Sequence, residues 1–443
     1  AQKHGESRAT QGHRQRVEGR IMFLKITAAE FGAPKRAFIV PLFALLGALF
    51  WLDAPRAQSA PTDPTTSTSV TDYLDAIDRV EAAHSAYATE LSDLYMGLGR
   101  ALINEANYPE AQRALHRGMQ VERVNYGLES ISQTPYLLLL ADLDAATGDD
   151  KASQDALESL YQISAKHYGA KDPRMLTTLD QMLDWQLRHY REKPPRKGFS
   201  HIAAAERVAV RMAKILNASV ALNDPQAPPY YAKLAAIQYL IADHIDRHGV
   251  APTANFEIST GPEVLSQTRS STSFNYYRRG KSALLYRVDA LMQQNQDDPL
   301  VQAGAIAELA DWYLVFGQTH AATEAYRLAF ETLADDSVAE EVRANFFAEP
   351  KKIDFSLDTA IDPLDAGPSA LQVGLWITAT GRPKDIEVID PPETLSGKYL
   401  GRLRNNLRKT RYRPRMIEGI PEAVAYRVSY PRPASPPAQQ EPT

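Results

Sequence analysis

Cysteine is absent from all 443 residues. Without a thiol there is no disulfide, no Cys-ligated zinc or iron–sulfur cluster, no Cys nucleophile and no lipid carried on Cys. The local signatures GxSxG, HExxH and GxxxxGK[ST] are also missing. Their absence removes the usual sequence marks of a serine hydrolase, a zinc peptidase and a P-loop nucleotide binder. No apolar run reaches the roughly 20 residues that a permanent membrane helix needs. What remains is ordinary for a folded protein: 44% apolar and 23% charged residues, which excludes wholesale disorder, a collagen-like repeat and a polytopic membrane protein. At about 150 residues per domain the length suggests two or three domains.

The first 60 residues read as an upstream extension followed by an export signal. Lys35 and Arg36 precede an uncharged apolar run over residues 37–52, interrupted by Pro41 and Gly47. Asp53 ends it, and Ala57, Ser59 and Ala60 supply the small residues of a cleavage point. That is the layout of a secretory signal, with Met22 as a sensible start. The competing reading is an uncleaved anchor. A cleaved, Cys-free chain fits a bacterial periplasm; a retained run would place the protein on the inner membrane, facing the periplasm. Residues 61–71, rich in Pro, Thr and Ser, read as a linker. Residues 433–443, rich in Pro and Gln, read as a disordered tail.

Residues 72–348 form one helical repeat domain by pattern. Apolar residues recur at three and four from Val70 to Phe347, the helical period. Tyr95, Leu98, Gly99, Leu102, Tyr108, Ala111, Leu115 and Gly118 share nearly all their offsets with Ile306, Leu309, Ala310, Tyr313, Gly317, Ala322, Tyr326 and Ala329. Both sets resemble the tetratricopeptide repeat, a helix–turn–helix unit of 34 residues. The resemblance implies that Gly99, Ala310, Ala111 and Ala322 sit where paired helices touch. Gly317 and Asn107-Tyr108 would mark the turns between them. A weaker copy runs from Leu140 to Leu160. The stretches at about 174–216 and 230–248 keep the period but lose the motif. One such hairpin cannot bury its apolar face alone, so three or more must stack, and a stacked array offers a concave groove for binding. Two breaks are expected: a basic, Pro-containing loop at residues 192–200, and a non-periodic insertion at residues 253–277.

Residues 349–432 change period. Leu371, Val373, Leu375 and Ile377 alternate along a strand. Thr380-Gly381-Arg382-Pro383 is a turn, and Ile386 and Val388 continue in a second strand. Leu400, Leu403 and Leu407 lie on a short helix. Residues 411–416 are extended, Glu418-Gly419 turns, and Val424, Tyr426, Val428 and Tyr430 alternate again. The order strand, strand, helix, strand, strand predicts a small α+β domain whose helix covers one face of the sheet. Residues 371–390, Tyr412-Arg413-Pro414 and Gly419-Ile420-Pro421 together resemble the C-terminal domain of TonB-type energy transducers. The resemblance covers residues 365–432.

That resemblance implies binding of an extended peptide, for example from an outer-membrane receptor, by addition of a strand to the sheet. The suspected edge is the last strand, with Ala423, Ala425 and Arg427 pointing outward. Arg413 and Arg415 join these as candidate partner-binding residues. The opposite reading is that this edge is covered, because an open edge is an aggregation hazard. The chain departs from transducers in three respects. Its apolar run has no charged residue or His, a helical array stands where the long Pro-rich spacer would be, and the cleavage point would release the protein.

Charge is divided along the chain. Residues 1–60 net +5, residues 398–432 carry ten Lys/Arg against Glu418 and Glu422 for +8, and residues 61–397 carry -17. Three readings follow: a solvated basic helix face, an acidic array and basic end that dock on each other, or a basic face that meets an anionic partner such as an envelope surface. A secreted chain without an aromatic-interleaved basic motif is not expected to bind nucleic acid. His244 and His248 are spaced like zinc ligands, but no base follows the first and no third ligand is evident. They read as a polar helix end. The pairs Asp149-Asp150, Asp297-Asp298 and Asp335-Asp336 suit helix starts and solvation.

The expectation is therefore a multidomain protein: an α-helical tetratricopeptide-like array followed by a small α+β TonB C-terminal-like domain. Its expected work is periplasmic protein–protein interaction, with no cofactor, no metal and no evident small-molecule substrate. The alternatives are a membrane-anchored transducer and, more remotely, an enzyme whose site is not visible in sequence.

Overall fold

The computed structural model describes residues 69–249, 262–335, 337–357, 370–392 and 395–430, with backbone alone at 196 and 262–274. The expected signal, the linker up to residue 68 and the tail lie outside the described residues. No helix among the described residues is long and apolar enough to cross a membrane. The chain divides between Met182 and Leu183 into two compact units.

The first unit is helical: α1 (Val70–Ala83), α2 (Glu90–Asn104), α3 (Tyr108–Tyr126), α4 (Thr134–Thr147), α5 (Asp150–Tyr168) and the start of α6 (Met175–Glu192). From α1 to α5 each helix packs on the next. Ser69 and Asp72 close a capping box at the start of α1, which satisfies two amide donors that the first turn leaves free. Gly99 brings α2 against Leu115 of α3, and Gly118 brings α3 against Tyr136 of α4; a Cβ at either position would collide with those side chains. Leu98, Leu102, Ala111, Leu115, Leu140 and Leu160 are buried, as the helical period requires. The α2–α3 turn uses Ala106 at φ 57 rather than a glycine. Asp149 caps α5 by accepting from the Ala152 amide at 2.9 Å.

The second unit continues through α7 (Pro195–Ser219), α8 (Ala227–His248), α9 (Pro262–Gln294), α10 (Pro299–Val315), α11 (Thr319–Thr332) and α12 (Glu340–Phe346). From α7 to α11, sequence neighbours pack pairwise. Asp298 caps α10 by accepting from the amides of Leu300 and Val301, with Pro299 inside the first turn. Gly317, at φ 74, makes the α10–α11 turn.

Two expectations are corrected here. The loop expected at residues 192–200 shrinks, because α7 already begins at Pro195. Proline at the first helical position has a suitable φ and lacks an N–H that would have no partner anyway. The insertion expected at residues 253–277 is helical from Pro262 onward, as the first half of α9. Its Ser/Thr run has no apolar period, so it gave no helix signal. A third difference concerns the HIDRH segment: His244 is buried and faces inward, within reach of the Tyr190 hydroxyl at 3.3 Å. Only His248 lies at an exposed helix end.

The C-terminal elements follow α12 in the same unit: β1 (Lys351–Lys352), β2 (Leu371–Ile377), β3 (Pro383–Ile389), α13 (Gly397–Lys409), β4 (Tyr412–Arg413), β5 (Arg415–Ile417), β6 (Ile420–Glu422) and β7 (Val424–Tyr430). β2, β3 and β7 form an antiparallel sheet in the order β3-β2-β7. Val373, Leu375, Ile377, Val388, Leu407 and Tyr412 form its core, with Leu400, Leu403, Tyr426 and Val428 packed against it. The helix α13 thus covers one face of the sheet. β5 and β6 make a hairpin turned by Glu418 and Gly419, both at positive φ, the conformation that a two-residue hairpin loop needs. The architecture is a helical array with a small C-terminal α+β layer.

Candidate functional site

β7 is an edge. Among the described residues it pairs only with β2, from Leu371↔Tyr430 to Ile377↔Val424. Its outer row of main-chain donors and acceptors is therefore available to another strand. The alternation decides which side chains face which way. Tyr426 and Val428 pack into the core, while Ala423, Ala425 and Arg427 are exposed. Register places Arg427 opposite Gly374 and Ala425 opposite Trp376. Trp376 is 43% exposed, although it is one of the four tryptophans of the chain. Glycine and alanine are small, so the register sets little side-chain bulk opposite the exposed Trp376 and Arg427. Gln372 donates to the Ser429 hydroxyl at 2.9 Å and ties β2 to β7 at the far end.

The outer face of this seven-residue edge carries one charge, Arg427. An edge charge is a usual device by which proteins keep a free strand from aggregating while leaving it able to pair. Main-chain pairing would give affinity here, and Trp376, Ala425 and Arg427 would give side-chain selectivity.

Of the five candidate residues, Ala423, Ala425 and Arg427 come together on or beside this strand. Arg415 is elsewhere, half-buried on the β5–β6 hairpin opposite Glu422. Arg413 is a correction. It is 8% exposed, and both sides of its guanidinium fork meet the Asp311 carboxylate of α10. Nε donates to Oδ1 at 3.1 Å and Nη2 to Oδ2 at 2.6 Å. Tyr326 of α11 donates to the same Oδ1 at 2.7 Å. The Phe346 ring lies 5.7 Å from the guanidinium carbon, within cation–π range. Arg413 therefore joins the sheet layer to the helical array and is not a surface contact.

The electrostatics of this joint are coherent. Burial works against the charge on Arg413, but the Asp311 carboxylate and its hydrogen bonds outweigh it, so the guanidinium pKa is raised. Burial, reinforced by the Asp311 charge, pushes the Tyr326 hydroxyl well above its usual range. Burial also raises the Glu308 carboxyl, one turn before Asp311; Arg287 pairs with it at 3.2 Å.

Backbone contacts reinforce the joint. β4 pairs with β1, the Tyr412 amide donates to the Gly381 carbonyl at 3.0 Å, and the Met416 amide donates to the Phe347 carbonyl at 3.0 Å. Gly381, at φ 66, lies so close to the Tyr412 carbonyl that a Cβ would overlap it. One basic residue of the C-terminal end thus docks on an acidic residue of the array.

No protein-family model and no curated protein matches the chain. Its function has to be argued from this geometry. No group of His, Cys, Asp or Glu able to hold a metal ion occurs among the described residues.

Trp376 and Asp311 were missed by sequence reading, yet both left a signal. Trp376 lies on the outward positions of a strand whose other face is wholly apolar. Asp311 is the one acid in the run Leu309–Leu314 of α10, whose six positions are all buried.

Proposed function

We propose that the protein is a periplasmic protein–protein interaction scaffold: a tetratricopeptide-like array carrying a TonB-like domain that takes an extended peptide by strand addition at β7. The observation that carries this reading is the position of β7 at the edge of the β3-β2-β7 sheet, with Ala423, Ala425 and Arg427 exposed beside it. Fixing that sheet to the helices through Arg413 and Asp311 favours a rigid adaptor, in which a peptide caught on the edge is held at a set position relative to α10 and α11. The envelope partner would be an outer-membrane receptor or another protein with an extended segment.

The test uses two proline substitutions of opposite parity. Along a strand successive N–H groups point to opposite sides. Ala425 and Val428 are an odd number of residues apart, so one directs its N–H to β2 and the other to the open edge. Proline removes that N–H. Each full-length variant is compared with the unchanged chain in a pull-down from the envelope fraction of producing cells, with thermal melting as the control. One of the pair is expected to lose the partner while melting normally, and the other to melt earlier. Retention of every partner by a variant that melts normally would refute strand addition.

The runner-up, an anchored energy transducer, draws on the apolar run at residues 37–52. The intact mass and N-terminal residue of the protein from fractionated cells decide between the two. A soluble chain beginning near Ala60 favours the free scaffold, and a membrane-bound chain retaining residues 37–52 favours the transducer.

A further inference from the structure

A cleft of about 990 Å³ opens within the second unit, between the C-terminal half of α8, the segment after β1, and the C-terminal end of α13. That volume is at the upper end of the range of small-ligand pockets, roughly 300–1,000 Å³. Its walls are aromatic and charged together. Tyr239, Phe316 and Tyr430 line it, and so do charges of both signs.

Four of these eight charges are paired with each other. Asp243 holds Arg247 at 2.7 Å, and Asp354 holds Lys352 at 3.5 Å. Three cations at the end of α13 differ. Among the described residues Arg411 donates through Nη1 to main-chain carbonyls, those of Arg408, Lys409 and Thr410, at 3.4, 3.4 and 3.1 Å, and Arg408 reaches Asn405 and no acid. Lys409 is exposed and forms no ion pair among the described residues. Burial and the neighbouring Arg382 charge both work against the Arg411 guanidinium and lower its pKa. A half-buried guanidinium with a like charge beside it gains from an anion more than an exposed one does. On the other wall, Asp246 is exposed and unpaired among the described residues.

The bland reading is that these cations only satisfy the last carbonyls of α13, which carry the negative end of the helix dipole. It accounts for Nη1 of Arg411. It does not account for the remaining guanidinium donors, for the aromatic lining, or for an acid of the same lining, Asp246, that is unpaired among the described residues. Inorganic phosphate fits poorly, because a dianion would meet Asp246, Asp243 and Asp354 in the same cleft.

We propose that this cleft binds a short zwitterionic peptide with an apolar body. Arg411 takes the terminal carboxylate, with Arg408 and Lys409 beside it. Asp246 takes the terminal ammonium, and Tyr239, Phe316 and Tyr430 enclose the apolar side chains. This site is separate from the β7 edge and does not depend on strand addition.

The test is calorimetric titration of the full chain with the tripeptide Ala-Leu-Phe, its C-terminal amide, its N-acetyl derivative and inorganic phosphate. The free tripeptide is expected to bind, and the amide to bind at least about tenfold more weakly, the loss expected for one charge-assisted contact. Arg411→Gln should weaken the free tripeptide similarly and abolish the difference between acid and amide. Because Arg411 also caps α13, Arg408→Gln and Lys409→Gln serve as exposed variants, each expected to weaken the free tripeptide about threefold. Asp246→Asn should weaken the free tripeptide yet tighten its N-acetyl form, an opposite pair of signs that a structural role does not produce. Equal binding of acid and amide, absence of tripeptide binding, or Arg411-dependent binding of phosphate in its place would each overturn the proposal.

Discussion

Removing the charge of Asp311 while keeping its shape should open the joint between the sheet layer and the helices. Asp311→Asn leaves the Arg413 guanidinium in place, with 10% of its side chain exposed and without its hydrogen-bonded counter-charge; Glu308, which pairs with Arg287, still acts on it. Breaking a buried pair from one side costs about 3–5 kcal/mol, because the surviving charge stays out of water. An exposed pair such as Arg113–Glu110 contributes at most about 1 kcal/mol. Asparagine retains an acceptor for the Tyr326 hydroxyl, so the lower end applies, about 3 kcal/mol. For a unit of this size each kcal/mol lowers Tm by about 2–4 °C, which gives a loss of roughly 6–12 °C. Trp185 and Trp312 are both buried in this unit, and their fluorescence in a urea titration follows its unfolding. The matching double substitution Asp311→Leu with Arg413→Met removes both charges and should recover most of the loss, since apolar residues of similar volume often replace a buried pair without penalty. An Asp311→Asn variant within about 1 kcal/mol of the unchanged chain would refute the argument.

Three further outcomes are expected. Arg413→Lys should fail to rescue stability, because an ammonium cannot make the two-pronged contact with Asp311; denaturant midpoints of the two chains give the comparison. Gly381→Ala should cost more than about 2 kcal/mol, since it combines a left-handed backbone with overlap of the Tyr412 carbonyl. Fluorescence-monitored melting measures it, and an unchanged Tm would mean that the turn relaxes freely. His244 should make the second unit acid-sensitive. Burial, and then the His248 charge, lower its pKa from 6.5. The unfolded chain then binds the proton more readily, so this contribution to stability is full above pH 6.5 and is lost as pH falls through the lower folded value. Phe199, Tyr190 and His248 lie against its ring, and the Asp243 charge opposes the shift. Urea midpoints taken across that window should fall in the unchanged chain and fall less in His244→Gln; parallel falls would remove His244 as the cause.

Much of this protein was legible because helix and strand periods are local. Leu98, Leu102 and Leu115 announce buried helix faces by their spacing alone. Leu371, Val373, Leu375 and Ile377 announce a half-buried strand, and the same parity puts Trp376 and Arg427 on the outside. Asp149 and Asp298 announce helix starts, because a short carboxylate suits the free amides of a first turn. Local rules failed where a residue had two uses. Pro195 reads as a breaker but begins α7, because the position it occupies needs no N–H. His244 reads as polar surface, but its imidazole lies buried among Tyr190, Phe199 and His248.

The sequence by itself determined the order of elements, the split between an acidic array and a basic end, and which residues of β7 face outward. Only the tertiary structure decided that β7 is an edge, that Arg413 is buried on Asp311, and that Arg408, Lys409 and Arg411 share a cleft with Asp246. The physical reason is distance along the chain. Asp311 and Arg413 are 102 residues apart, and no periodicity links positions so far separated. An isolated arginine carries the same charge whether solvent or a carboxylate surrounds it. Its role is set by the packing of α10, α11 and β4 around it, and that packing exists only once the chain has folded.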